Sequence, residues 1–280
     1  MKPIKIVTDS TVQLSKEEQD KYNITIVPLT AMVENVVYYD NLTVTKPEFL
    51  QKMLNSPELP KTSQPAVGKF TELFNELGAD GSEVLSIHVA GYLSGTYMSA
   101  VQGASLSTDK VTVIESGFLD RAMAFQVLAA AEMAKTGAAM SEIVSTLEEV
   151  KSKTTLYVGI VHLENLIKGG RMSQTLGRIS NFLNMKLILS LTPEEITLYT
   201  KSRGMKSLRG KVDAIIEKMK SYPEIKQIGI SHVGMSSFTE ATIKELKEQF
   251  PDAVFYVAYA SPTLMTHAGN EAFAISYLTD

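Results

Sequence analysis

Two short runs of hydroxyl side chains are the parts of this chain best suited to holding an anionic ligand. The runs are Thr62-Ser63-Gln64-Pro65 and Ser94-Gly95-Thr96. Hydroxyl groups and loop backbone N–H groups can hydrogen-bond a carboxylate or a phosphate. Neither run has the glycine spacing, followed by Lys and Ser or Thr, of a phosphate-binding P-loop. Taken alone, each run is more typical of a turn with a helix cap.

Three further segments occur together with these runs. They are Thr8-Asp9-Ser10-Thr11, Gly169-Gly170-Arg171 and the late His267. With all five segments present, the sequence resembles the DegV family, bacterial fatty-acid-binding subunits that present a bound fatty acid to a separate kinase. The resemblance covers essentially the whole chain, from Ile4 to the region of His267. It departs from the family at Ala66, where members often have Ser, and at Ala268-Gly269-Asn270-Glu271, where they have a Gly-Pro-Gly-Ala-like stretch.

The resemblance implies a ligand, a partner and a set of binding residues. It implies a non-catalytic carrier of a long-chain fatty acid, without a cofactor, whose partner is a fatty acid kinase that forms an acyl phosphate. The residues implied to bind the carboxyl group are Thr62, Ser63, Ser94, Gly95, Thr96 and His267. Ser99, just beyond the second run, is expected to be uninvolved. Read by itself, the Gly169-Gly170-Arg171 break indicates a helix C-cap followed by a solvated arginine.

Length and composition limit the class of protein. A chain of 280 residues exceeds a typical single core, which favours two domains. The net charge of −4 gives no overall basic footprint, so nucleic acid is not expected as the main ligand. The absence of cysteine excludes disulfides and thiolate chemistry. The N-terminus lacks the pattern of a signal peptide, so the expected location is cytoplasmic. Transient contact with a membrane surface is compatible with this expectation.

The order of strands and helices predicts an α/β fold in two parts. Residues 1–155 alternate apolar strands with helices, which favours a mostly parallel, doubly covered sheet. Residues 156–280 contain a hairpin signal at Thr192-Pro193-Glu194-Glu195 and predict a smaller α+β domain. The pattern also predicts a terminal helix over residues 270–277 and a loop around His267. The ligand is expected in the cleft between the two domains.

Two other function classes use the same residues. Ser94, His267 and Asp9 could form the nucleophile, base and orienting acid of an acyl hydrolase. However, in the run Gly91-Tyr92-Leu93-Ser94-Gly95 the serine is one position later than a G-x-S-x-G elbow requires, so this alternative ranks below binding. A small-anion sensor without a lipid site is the third reading. His88 and His232 are expected in the core, and no metal-ligand spacing appears.

The densest basic stretch, residues 201–211, is typical of a solvated helix start. In an otherwise acidic protein it could instead dock a kinase or steer anions. The family analogy favours kinase docking, with Arg203 as the central residue and Lys201 and Lys206 beside it.

Overall fold

The computed structural model describes residues 2–171 and 185–280, and its strands form three sheets. The strands are β1 (Ile4–Asp9), β2 (Thr25–Val27), β3 (Thr30–Val33), β4 (Val36–Tyr39), β5 (Lys61–Ser63), β6 (Glu83–His88), β7 (Val111–Glu115), β8 (Thr154–Ile160), β9 (Met185–Leu191), β10 (Ile196–Arg203), β11 (Ile225–His232), β12 (Val254–Tyr259) and β13 (Phe273–Thr279). The helices are α1 (Lys16–Tyr22), α2 (Lys46–Asn55), α3 (Val67–Gly78), α4 (Thr96–Leu106), α5 (Asp120–Lys135), α6 (Met140–Ser152), α7 (Glu164–Lys168), α8 (Gly204–Met219), α9 (Ser237–Gln249) and α10 (Pro262–Ala268). Within these residues no helix is long and apolar enough to cross a membrane.

The first sheet is parallel throughout, in the order β2-β1-β6-β7. Strand β6 is buried from Val84 to His88, which requires cover on both faces of the sheet. Helices α3 and α4 cover one face through a core that includes Phe70 and Phe74. The predicted parallel α/β organisation of the N-terminal part is confirmed. Its strands point their carboxyl ends towards the loops that carry Thr11 and Ser94.

Helix α5 covers the other face of the first sheet and also packs against the second sheet. It contacts β1 and β6 on one side and β8, β11 and β13 on the other. Nearly every residue in its first three turns is buried, among them Ala122, Ala124 and Ala130. The small side chains let two sheets approach one helix closely. One continuous apolar core therefore joins both parts of the chain.

A small antiparallel sheet, β4-β3-β5, lies beside the parallel one. Strands β3 and β4 are joined by a tight turn at Glu34 and Asn35, which both have positive φ, as a tight hairpin requires. Thr62 and Ser63 do not form the predicted turn. They lie in strand β5, where pairing with Thr30 and Ala31 of β3 satisfies their backbone groups.

The second sheet is mixed, in the order β10-β9-β8-β13-β11-β12, and the predicted hairpin between β9 and β10 is confirmed. The terminal helix predicted over residues 270–277 is wrong. Residues 273–277 belong to β13, a central strand antiparallel to both β8 and β11. Ile275 and Tyr277 face the core under α8, while Ala274 belongs to the core shared with α5. Burial on both faces leaves a mostly apolar strand, interrupted by Ser276, which periodicity alone does not distinguish from a buried helix.

The sheet type changes where β8 begins. Every strand before Thr154 belongs to the parallel sheet or the small antiparallel one, and every later described strand belongs to the mixed sheet. We therefore propose the division into residues 1–155 and 156–280 as the domain organisation.

Candidate ligand-binding site

A cavity of about 390 Å³ lies among residues drawn from both parts of the chain. This volume falls within the range of roughly 300–1000 Å³ that is typical of small-molecule sites. Much of its wall is aliphatic, with contributions that include Leu29, Leu93, Leu119, Val158, Leu189 and Ile196. Such a cavity suits a ligand with a long apolar part.

Thr62 and His267 meet at the polar part of the cavity. The Oγ1 atom of Thr62 lies 2.8 Å from Nε2 of His267, although 205 residues separate them in sequence. Both side chains line the cavity. His267 is not in the predicted loop but in the last turn of helix α10, which begins with Ser261 as its N-cap and Pro262 in its first turn. The helix fixes the imidazole opposite strand β5.

His267 is held as a neutral imidazole. Burial, together with the nearby charge of Arg171, lowers the pKa of His267 to about 4. A β-carbon on Gly169 would lie only 2.6 Å from Nδ1 of His267, so the ring packs directly against that glycine. Nδ1 has no hydrogen-bond partner among residues 2–171 and 185–280. The polar contact of this ring in the cavity is therefore made through Nε2.

The second hydroxyl run forms the entry to helix α4. The hydroxyl of Ser94 lies 2.9 Å from that of Thr96 and accepts a hydrogen bond from the Thr96 backbone N–H. Ser94 and Gly95 line the cavity, as does Ser63 from the first run. Thr96 is buried beneath them and is not part of the lining. Its contact with Ser94 makes it a residue that orients the run.

Gln64 links the two runs. Its amide lies so close to Gly95 that a β-carbon there would overlap it, and its Nε2 donates a hydrogen bond to Ser99 Oγ at 2.6 Å. Ser99 is thus in contact with a residue of the cavity wall. Ser99 is expected to be uninvolved in binding, but one helical turn brings it beneath the run and into contact with Gln64.

Arg171 is the residue of the site that sequence reasoning missed. Rather than pointing into solvent, it is half-buried and lines the cavity, where desolvation lowers its pKa. Its Nε donates to the carbonyl of Leu93 at 3.4 Å, and a terminal nitrogen donates to the carbonyl of Gly169 at 2.9 Å. The Gly169-Gly170 break was the available signal. The cavity thus contains a cation beside Ser94 and His267.

The three groups of the hydrolase alternative do not assemble. Ser94 bonds to Thr96, while His267 bonds to Thr62. Asp9 lies in the core of the first sheet, where Oδ2 is 3.0 Å from Nδ1 of His88. The expectation that His88 is a hydrogen-bonded core residue is confirmed.

The basic stretch is exposed and lies away from these groups. Lys201 and Arg203 are at the end of β10, and Lys206 is in the first turn of α8, which begins at Gly204. Arg209 is occupied by ion pairs with Asp213 and Glu245. From Ile196 in the cavity wall to Arg203, strand β10 extends roughly 23 Å.

The sequence matches a family model described as "Uncharacterised protein, DegV family" over residues 3–280. A DegV domain-containing protein of Streptococcus pneumoniae is 42% identical over 275 residues, which is 98% of each chain. The chain belongs to the DegV family. The crystal structure of DegV from Bacillus subtilis, described as a fatty acid binding protein, is 28% identical to this DegV family member and superposes with a TM-score of 0.91 over the whole of both chains. A Thermus thermophilus family member, described for its fatty acid binding, is 25% identical, with a TM-score of 0.88 over 99% of this chain and 100% of that one.

Proposed function

We propose that this DegV family member binds a long-chain fatty acid between its two domains and presents the carboxyl group to a separate kinase in the cytoplasm. The observation that carries this proposal is the cavity itself, in which aliphatic walls adjoin a confined group formed by Thr62, Ser94, Arg171 and His267. The fatty-acid binding attributed to the relatives from Bacillus subtilis and Thermus thermophilus supports it.

The aliphatic wall provides the driving force for binding. Burying about 15 methylene groups at ~0.8 kcal/mol each gives roughly 12 kcal/mol of transfer free energy. After an association cost of at least about 4 kcal/mol is subtracted, up to about 8 kcal/mol is left, which corresponds to a dissociation constant of about 1 μM before the carboxyl group contributes. A small anion has no apolar part to contact such a wall, so the apolar lining disfavours the small-anion sensor.

The polar side chains of Thr62, Ser94, Arg171 and His267 can offset the free-energy cost of burying a carboxylate. An unpaired carboxylate in an apolar site costs several kcal/mol, and hydrogen bonds or a cation offset that cost. Because His267 is neutral, the tautomer with a proton on Nε2 donates to Thr62 and leaves the threonine proton for the ligand. Ser94 supplies a second hydroxyl, and Arg171 supplies the positive charge. The same hydroxyl and guanidinium groups would also donate hydrogen bonds to the more highly charged acyl phosphate.

Lipid extraction with native mass spectrometry of the purified protein tests the proposal most directly. We expect a co-purifying fatty acid, which a supplied fatty acid kinase phosphorylates only when this chain is present. Cleavage of an acyl ester by this chain alone, abolished in Ser94→Ala, would instead establish the hydrolase. A purified protein that neither carries nor takes up long-chain acids would overturn the carrier.

Thr62→Val is expected to weaken fatty-acid binding about 5-fold to 150-fold. The substitution keeps the shape of the side chain but removes the hydroxyl that bonds His267, and an under-satisfied carboxyl group costs roughly 1–3 kcal/mol. Titration calorimetry measures the change. Thr108→Val is the matched control, since Thr108 is exposed and outside the cavity wall, and it should leave the affinity unchanged. Equal losses in the two variants would contradict the assignment of Thr62.

We further propose that Lys201, Arg203 and Lys206 dock an acidic face of the kinase. Arg203→Ala should slow phosphorylation of the bound acid several-fold at low salt, while the affinity for the acid stays unchanged. Because exposed charges act mainly on the association rate and are screened by salt, the defect should shrink as ionic strength rises. Lys16→Ala removes an equally exposed charge from helix α1 and serves as the control. Release of the acid by Arg203→Ala would place this stretch in the binding site instead.

A further inference from the structure

A second polar cluster lies on the wall of the same cavity, formed by Thr11, Asp120, Ser231 and His232. It consists of residues outside the hydroxyl runs and outside the group around His267. Asp120 is only 3% exposed, and His232 is only 4% exposed. A plain hydrocarbon chain would give these polar side chains no hydrogen bonds. Their presence in the cavity wall therefore indicates a ligand group that forms hydrogen bonds with them.

Asp120 has one carboxylate oxygen without a partner. Oδ2 accepts a hydrogen bond from the hydroxyl of Ser231, whereas Oδ1 has no partner in the described part of the chain. The same holds for Nδ1 of His232. Buried polar atoms in folded proteins are nearly always hydrogen-bonded, so two open atoms in one cluster indicate a missing donor and acceptor.

The backbone holds Asp120 in this position. Its φ is +61°, in the left-handed region that few residues other than Gly, Asn and Asp adopt readily. Its N–H donates to the carbonyl of Thr11 at 3.0 Å, and its own carbonyl accepts from the N–H of Gln13 at 3.3 Å. These two bonds fix the first residue of α5 against the loop after β1. The carboxyl group is thus built into the wall by the fold.

The charges around Asp120 favour a neutral donor over a cation. Lys46 and Arg121 both interact electrostatically with Asp120. The Nζ of Lys46 also donates to the carbonyl of Tyr259 at 3.1 Å. An ammonium group on a ligand would therefore meet a lysine that already offsets the carboxylate charge. A hydroxyl group adds no charge, donates to Oδ1 and can accept a hydrogen bond in return.

We propose that Asp120, with Ser231 and His232, is a second recognition point that binds a hydroxyl group on the hydrocarbon chain of the bound acid. The inference rests on the proposed function and adds a substrate class to it, the hydroxylated long-chain acids. Burial raises the pKa of Asp120 to about 6, so the carboxyl group is mainly an acceptor at neutral pH. A hydroxyl donor at Oδ1 would stabilise that ionised form.

The test compares octadecanoic acid with its monohydroxy derivatives, with the hydroxyl group moved along the chain. For the wild type, we expect at least one positional isomer to bind about tenfold or more tightly than octadecanoic acid. In Asp120→Gly, which accepts the positive φ, this preference should fall to about threefold or less. In Asp120→Asn it should be intermediate, because a neutral amide oxygen is a weaker acceptor than a carboxylate.

Octadecanoic acid serves as the internal reference, since the preference is the ratio of two affinities measured on the same protein, and thermal unfolding reports that each variant folds. Equal binding of every isomer by the wild type would overturn this inference and leave the carrier function intact. A preference that survives in Asp120→Gly would also overturn it, because another group would then recognise the hydroxyl. Failure of all the acids to bind would overturn the carrier and the inference together.

Discussion

Arg171→Ala should lose most of its affinity for a long-chain fatty acid, with a dissociation constant raised about 30-fold to several thousand-fold. The guanidinium is half-buried in the cavity wall and close enough to His267 to shift its pKa. Truncating one partner of a buried, hydrogen-bonded charge pair costs roughly 2–5 kcal/mol. Calorimetry with the wild type and the variant measures this change directly.

Lys168→Ala is the matched control for Arg171→Ala. Lys168 lies three residues earlier, carries the same charge and is exposed, in an ion pair with Glu164. Its removal should leave the affinity within about twofold of the wild type, since exposed pairs contribute about 0–1 kcal/mol at most. If the two variants bind equally well, Arg171 is not the counter-ion of the carboxylate. The polar group would then act through hydroxyls alone.

Asp9→Ala is expected to lower the free energy of unfolding by about 3–5 kcal/mol. Asp9 itself is not a residue of the cavity wall. One oxygen of Asp9 accepts from the backbone and hydroxyl of Thr11 at 3.0 and 2.6 Å. The other accepts from Val89 N at 2.9 Å and lies 3.0 Å from His88 Nδ1. Alanine leaves all of these buried groups without their acceptor. Urea unfolding at pH 7 measures the loss.

The stabilisation by Asp9 has a definite dependence on pH. Although burial acts to raise it, the pKa of Asp9 is held below its usual value by hydrogen bonds from His88, Thr11 and Val89. A carboxyl group with a depressed folded-state pKa stabilises above its unfolded pKa of about 4 and loses that stabilisation as the pH falls. The difference between wild type and Asp9→Ala should therefore narrow below pH 4. Asp20→Ala, on the exposed face of α1, should change stability by less than 1 kcal/mol at any pH. A comparable loss of unfolding free energy in both variants would contradict the stabilising role of the Asp9 contacts.

The sequence predicted those parts of the fold that local pattern determines. Strand β6 was recognisable as an apolar run, and the β3–β4 hairpin was recognisable from Glu34-Asn35. Strand β13 was not, because its two faces belong to different cores and only the position between β8 and β11 shows that it is extended. Tertiary burial overrides local periodicity at such a strand.

The candidate site was predictable to the extent that its groups lie in short, recognisable segments. The hydroxyl runs and His267 could be named from the family resemblance, and the structure brings Thr62 and His267 into contact. Arg171 and Asp120 could not be named, because their positions depend on partners far along the chain. Arg171 reaches the carbonyl of Leu93, and Asp120 reaches Ser231. Contacts of this kind depend on how the sheets pack, and the Gly169-Gly170 break marks the position of Arg171 without indicating its partner.

Helix α5 also bears on how this scaffold could evolve. Its buried alanines separate two sheets, and residues of both sheets or of their loops line the cavity. The distance between the sheets therefore depends on the size of side chains that are not part of the cavity wall. A change from alanine to a larger residue on α5 would move one whole wall relative to the other, whereas a change in the wall alters one contact. Selection for thicker or thinner ligands could then act on this helix while the residues that hold the carboxyl group stay the same.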